Sequence, residues 1–151
     1  MKLLRSVILL VFLAGCDKGL EPTSDIEPEG NLIVNITYEG DWPPPEAFLE
    51  YRFVGFDFFP EEVTDILFNL ENLIISEERP LHGVESETIV FENISNRTII
   101  YSALAWQHGP NIFEDWQAAG ETREVYTIEG NTVEIDLHVD FDNLPPFPPE
   151  P

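Results

Sequence analysis

Residues 123–141, REVYTIEGNTVEIDLHVDF, decide the fold class. From Thr132 onward Val133, Ile135, Leu137, Val139 and Phe141 alternate with Glu134, Asp136, His138 and Asp140. A period of two with one polar side is a strand lying with one face on a core. Residues 123–128 alternate over a shorter span, and Glu129-Gly130-Asn131 separates the two runs. Three residues around a glycine between alternating runs predict a hairpin.

Working outward, the same period recurs. In residues 31–39, Leu32, Val34, Ile36 and Tyr38 face one way and Asn35, Thr37 and Glu39 the other. Gly40 ends that strand, and Asp41-Trp42-Pro43-Pro44-Pro45 follows as a stiff loop, because three prolines cannot join a ladder. Residues 48–59, FLEYRFVGFDFF, form a second strand that is apolar on both sides toward its end, so that part is covered on both faces. Residues 60–70 predict one short helix. Pro60 and the acids after it suit a helix start, and Val63, Ile66, Leu67 and Leu70 recur at spacings of three and four. A helix of about ten residues needs a sheet to lean on. Further strands are predicted at 73–75, 86–94 and 98–107, the last so apolar that it belongs in the middle of a sheet.

The sum is a mainly β chain: an antiparallel β-sandwich of about seven strands over residues 31–142, with one short helix inserted after the second strand. In order and size this pattern resembles prealbumin-like domains, meaning transthyretin and the carboxypeptidase regulatory-like accessory domains. That resemblance implies a small seven-stranded sandwich and no particular chemistry.

Upstream, Lys2 and Arg5 precede an apolar run from Val7 to Ala14, and the only cysteine closes the sequence Leu13-Ala14-Gly15-Cys16. A basic start, a short apolar stretch and small residues before a cut site form a secretory signal peptide. The run is too short for a bilayer crossing, which takes about 20 residues. With the cysteine directly after Ala-Gly, the segment resembles a bacterial lipoprotein signal with its lipobox. The resemblance implies removal of residues 1–15 and acylation of Cys16. The covalent lipid is then the only cofactor-like group expected, and the bilayer, reached through its acyl chains, is the first partner. Two or more chains anchor stably where one does not. Residues 16–30 then read as the lipidated cysteine and a flexible tether, and residues 143–151, NLPPFPPEP, as a proline-rich tail. The expected address is the bacterial cell envelope, facing the periplasm or the exterior.

The residues also resemble a group of uncharacterised bacterial lipoproteins. The likeness lies in the Gly-x-Trp-Pro loop at 40–43, the segment Ala105-Trp106-Gln107-His108-Gly109-Pro110-Asn111-Ile112-Phe113-Glu114-Asp115-Trp116, and the closing Asp-Phe-Asp-Asn-Leu-Pro-Pro at 140–146. It implies an envelope address and brings no known activity with it.

Without residues 1–15 the chain keeps five basic residues against 29 acidic ones, a side-chain balance of 5 − 29 = −24. Such a field repels phosphate, so nucleic acid is excluded as a partner. With one cysteine there is no internal disulfide, and stability must come from packing.

Chemistry-bearing residues concentrate after the 98–107 strand. Trp106, Gln107, His108, Asn111, Asp115 and Trp116, with Trp42 from the proline loop, could line an aromatic cleft for a glycan or an envelope protein. The same residues could equally fold back as a cap on one end of the sandwich. An acid–base pair of His108 with Asp115 or Glu114 would make a small hydrolase the alternative. No metal site is expected. Asp136, Asp140 and Asp142, with Glu134, offer oxygens for calcium but match no loop motif, and His82, His108 and His138 lack zinc-ligand spacing. There is no Gly-x-Ser-x-Gly elbow and no phosphate loop. The reading is a membrane-anchored envelope lipoprotein with a non-enzymatic binding or scaffolding domain. A purely structural acidic envelope protein is the remaining alternative.

Overall fold

The computed structural model describes residues 28–147 and residue 149. The signal peptide, Cys16 and most of the tether expected at 16–30 lie outside these residues. The chain is mainly β. Nine strands are described: β1 (Gly30–Glu39), β2 (Glu50–Phe56), β3 (Ile74–Ile75), β4 (Ser86–Ile94), β5 (Arg97–Ile99), β6 (Tyr101–Gln107), β7 (Trp116–Thr122), β8 (Tyr126–Ile128) and β9 (Thr132–Asp140). One sheet runs β4-β1-β9, the other β3-β2-β6-β7, and β5 pairs with β8 as a short ribbon.

Two hydrophobic clusters hold these layers. Between the sheets lie Leu32, Val34 and Ile36 of β1, Ile135, Leu137 and Val139 of β9, and Phe53, Leu104 and Trp106 of the other sheet. These are the inward positions of the alternating runs. The second cluster lies on the far face of the β2-β6-β7 sheet, where Val54, Phe56, Tyr101 and Ala103 are covered by Phe58, Phe59, Ile66, Trp116 and Phe147. The two-sided apolarity of β2 therefore has its covering layer, and β6, buried at all seven positions, is central.

The helix, α1 (Val63–Phe68), is shorter than the expected 60–70. Glu62 and Asp65 form a reciprocal capping box that starts it at Val63. The Asn69 side chain donates to the Asp65 carbonyl at 2.7 Å and closes it, so Leu70 turns outward. The expected seven strands become nine for two reasons. The run 98–107 breaks at Ile100, whose N–H donates to the Phe56 carbonyl at 2.8 Å, giving β5 and β6. And β7, whose Trp-Gln-Ala-Ala-Gly-Glu-Thr sequence carries no strand pattern, sits beside β6 with a bulge between Ala118 and Gly120.

The hairpin expected across 129–131 does not form. Gly130 takes φ +68 and makes the turn, but the chain then crosses between layers. β8 pairs antiparallel with β5, whereas β9 pairs with β1, and in parallel, over nine residues. The sandwich is thus not wholly antiparallel. The crossing is fixed where the Asn131 side chain accepts the Glu129 N–H at 2.7 Å and its carbonyl accepts the Asn31 N–H at 2.9 Å.

The N-terminal boundary of the domain differs from expectation by one residue. β1 begins at Gly30, already buried, inside the expected tether. Of the expected tail, residues 143–147 lie against the domain: Leu144 packs on the inter-sheet core, Phe147 on the second cluster, and the Pro145 carbonyl accepts from the Gln117 side chain.

Candidate functional site

The segment between β6 and β7 is closed upon itself. At its base His108 N–H donates to the Asp115 carbonyl at 3.0 Å. Inside, the Asp115 carboxylate accepts the Asn111 N–H at 2.8 Å, and the Asp115 N–H returns to the Asn111 carbonyl at 2.9 Å. The Asn111 amide donates to Glu114 at 2.8 Å and accepts the Phe113 N–H at 3.1 Å. Gln107 donates to the Gly109 carbonyl at 2.8 Å, and Trp116 Nε1 to the Ile112 carbonyl at 3.0 Å. Gly109 has no room for a Cβ because the Asp115 carboxylate fills that space. This is the local side-chain-to-backbone bonding by which Asn and Asp stabilise turns.

The three indoles do not share a surface. Trp106 is 9% exposed, belongs to the inter-sheet core and donates through Nε1 to the Ala47 carbonyl at 2.8 Å. Phe48 stacks on it at 4.9 Å. Trp42 is wedged among Phe141, Tyr38 and His82, with ring centroids 4.5, 4.6 and 4.9 Å away. Trp116 packs on the opposite face of the sheet, against the second cluster. Trp42 and Trp106 therefore cap one end of the core through Phe48. The exposed residues of the loop are His108, Pro110, Asn111, Ile112, Phe113 and Glu114. His108 stands edge-on to Trp106 at 5.8 Å. Its link to Asp115 is through main chain; among the described residues no hydrogen bond joins the imidazole to a carboxylate of this loop.

The candidate cation ligands are likewise dispersed or engaged. Asp136 accepts from Asn35 at 3.2 Å, Asp140 from the Asp142 N–H at 3.0 Å, and Asp142 from the Asp41 N–H at 3.3 Å. His82 contacts the Pro43 carbonyl through Nε2 at 2.8 Å, and His138 lies by Thr37 and Glu39, away from His82 and His108. Among the described residues no three His, Cys, Asp or Glu side chains are grouped to hold a metal ion.

The perturbed ionisable groups are tyrosines. Burial raises Tyr38, Tyr51 and Tyr101 well above the ordinary phenol range, with Tyr51 and Glu87 adding to the effect at Tyr38 and Glu121 at Tyr101. Burial pushes Tyr126 up to about 12 even though Ser102 bonds its hydroxyl at 2.8 Å. All four stay protonated near neutral pH, so none is poised for proton transfer there.

One concave feature has no counterpart in the sequence reading. A groove of about 890 Å³ runs between β4 and residues 75–81, on the flank where both sheets end. Residues 76–79 form one wall, pinned to β2. Arg52 donates to the Ser76 carbonyl at 3.3 Å and to the Glu77 carbonyl, and Arg79 to the Leu49 carbonyl at 2.6 Å. Glu87 ties the far end, accepting from the Tyr38 hydroxyl and from the Leu81 N–H at 3.0 Å. The clue in the sequence was that Arg52 and Arg79 are two of the few basic residues in so acidic a chain; only the fold reveals that both brace one wall.

No family model matches the chain, and no curated protein or solved structure is significantly similar to it.

Proposed function

We propose that the chain is a lipid-anchored protein of the bacterial cell envelope whose β-sandwich is a non-enzymatic binding or scaffolding module. The address is supported by Lys2, Arg5, the apolar run and the lipobox ending at Cys16. The non-enzymatic character is carried by one observation: in the segment richest in candidate groups, the side chains of Gln107, Asn111 and Asp115 bond only within their own loop. Both acids of the hydrolase alternative help to fix the loop, Asp115 accepting the Asn111 N–H and Glu114 the Asn111 amide, and neither is hydrogen-bonded to the His108 imidazole among the described residues. The fold then serves to present surface, with an envelope protein or a glycan as the class of partner. The resemblance to prealbumin-like domains remains part of this reading, although the nine described strands and the parallel β1–β9 pair depart from the seven-stranded sandwich it implies.

The test is the mass and location of the native chain. The expected species begins at Cys16, carries acyl groups and sediments with membranes, while Cys16→Ser releases it. An intact leader, or a free thiol at Cys16 in membrane-bound protein, would overturn the address. The binding reading is checked by cross-linking in intact cells. Reproducible adducts that survive His108→Ala are expected, and dependence of the cellular role on that imidazole would favour the hydrolase instead.

A further inference from the structure

Among the described residues β4 is an edge strand, paired on one side only. The Tyr38 N–H donates to the Glu85 carbonyl at 2.9 Å, and the β1–β4 register continues from that pair through Ile36↔Glu87 and Val34↔Ile89. In an antiparallel ladder bonding alternates residue by residue. Glu87, Ile89 and Phe91 thus bond β1, and the N–H and C=O groups of Thr88, Val90 and Glu92 point the other way, into the groove. Edge strands are usually blunted by Lys, Pro, a central bulge or an inward-pointing charge. β4 has no Lys or Pro, its inward charge Glu87 is engaged by the Tyr38 hydroxyl and the Leu81 N–H, and its irregularity lies at its end, where Asn93 takes φ +58. Val90 is 56% exposed in mid-strand.

The groove's charge selects the occupant. Glu77, Glu78, Glu87 and Glu92 line it against Arg79, which is turned to Glu50 at 3.1 Å. Ile75, Ile89 and Phe91 supply apolar lining. A second copy of this chain, at formal charge −22, meets that surface with like charge, and so does the acidic stretch before Pro28. We propose that the β4 edge binds an extended, lysine- or arginine-bearing segment of a partner protein by strand addition. The segment's main chain completes the ladder at Thr88, Val90 and Glu92, its apolar side chains enter the groove, and its cations face the four glutamates. This deepens the binding-module reading and rests on it.

The test uses the full chain and a fluorescent eight-residue peptide alternating Lys with Val and Thr. Two twins accompany it, one N-methylated at alternate residues and one with Glu for Lys. At about 0.15 M salt, where exposed long-range attraction is screened, the Lys peptide is expected to bind one to one, at least tenfold tighter than either twin. Val90→Pro removes an outward N–H without touching the bond to β1 and should weaken binding at least tenfold. Glu77→Lys/Glu78→Lys/Glu92→Lys should reverse the charge preference, which decides the matter even where the proline variant misfolds. Equal binding of the N-methylated twin overturns strand addition, and equal binding of the Glu twin overturns the charge argument. Self-association abolished by Val90→Pro replaces the proposed partner by a second copy and overturns it. The two readings fail separately. An acylated chain that ignores the peptide overturns the groove alone; peptide bound by a chain with unmodified Cys16 supports the groove while the address falls.

Discussion

The two flanks of the sandwich are built differently. On one, β7 and β9 approach so closely that a Cβ on Gly120 would collide with the His138 carbonyl oxygen and come within 2.9 Å of Leu137 Cδ2 and Val139 Cγ2. On the other, β3 contributes two residues and β4 nine, and the space between holds a groove. The closed flank is made by small residues, Ala118, Ala119 and Gly120, all fully buried or nearly so. The open flank is made by long acidic side chains and two braced arginines. A closed edge removes unpaired main chain from reach, and an open one keeps it available. The difference assigns stability to one side and contact to the other.

The largest effect is expected from breaking the closed flank. Gly120→Val places three carbons against main chain that cannot yield, and should cost about 3 kcal/mol or more, read as a lowered urea midpoint. Alkaline pH comes next and probes the open flank and the sheet interior, since Tyr38 and Tyr51 lie by Glu87 and Tyr126 by Ser102 of β6. Each phenol titrates higher in the folded than in the unfolded chain. Their contribution is therefore complete below about pH 10, the ordinary tyrosine value. It is lost as pH rises through the folded values, with a slope of up to about 1.4 kcal/mol per pH unit for each tyrosine. Stability that held constant from pH 9 to 12 would contradict their burial.

Smaller effects sharpen the open side. Glu87→Ala removes the acceptor shared by the Tyr38 hydroxyl and the Leu81 N–H and should cost about 1–2 kcal/mol. It should also loosen residues 76–81, seen as faster amide exchange there than in β9. Val90→Lys should change stability by less than about 0.5 kcal/mol, because the side chain already meets solvent. An equal loss at Val90 and Gly120 would erase the distinction between the flanks.

Much of the fold was legible because alternation reports burial. β1 and β9 lie where their period of two places them, with the expected faces inward, and β4 spans the expected 86–94. What stayed illegible depended on distant segments. Ala118, Ala119 and Gly120 have low strand preference; β7 forms by pairing with β6, and Gly120 is needed where that strand meets β9. The Gly130 turn looks the same locally whether the chain folds back as a hairpin or crosses between sheets; the parallel pairing of β9 with β1 decides that. At the site, residue types in the Trp106–Trp116 segment advertised a cleft, whereas the hydrogen bonds of Asn111 and Asp115 turn it into a cap. The groove could not be read because its walls come from residues that only the sandwich brings together.

The most direct measurement is residue-resolved amide hydrogen exchange along β4 in the full chain. Slow exchange at Glu87, Ile89 and Phe91 and fast exchange at Thr88, Val90 and Glu92 is the predicted alternation, with the fast set slowing when the lysine peptide is added. Uniform protection from Ser86 to Glu92 in the free chain would mean the edge is already covered, and would contradict the account.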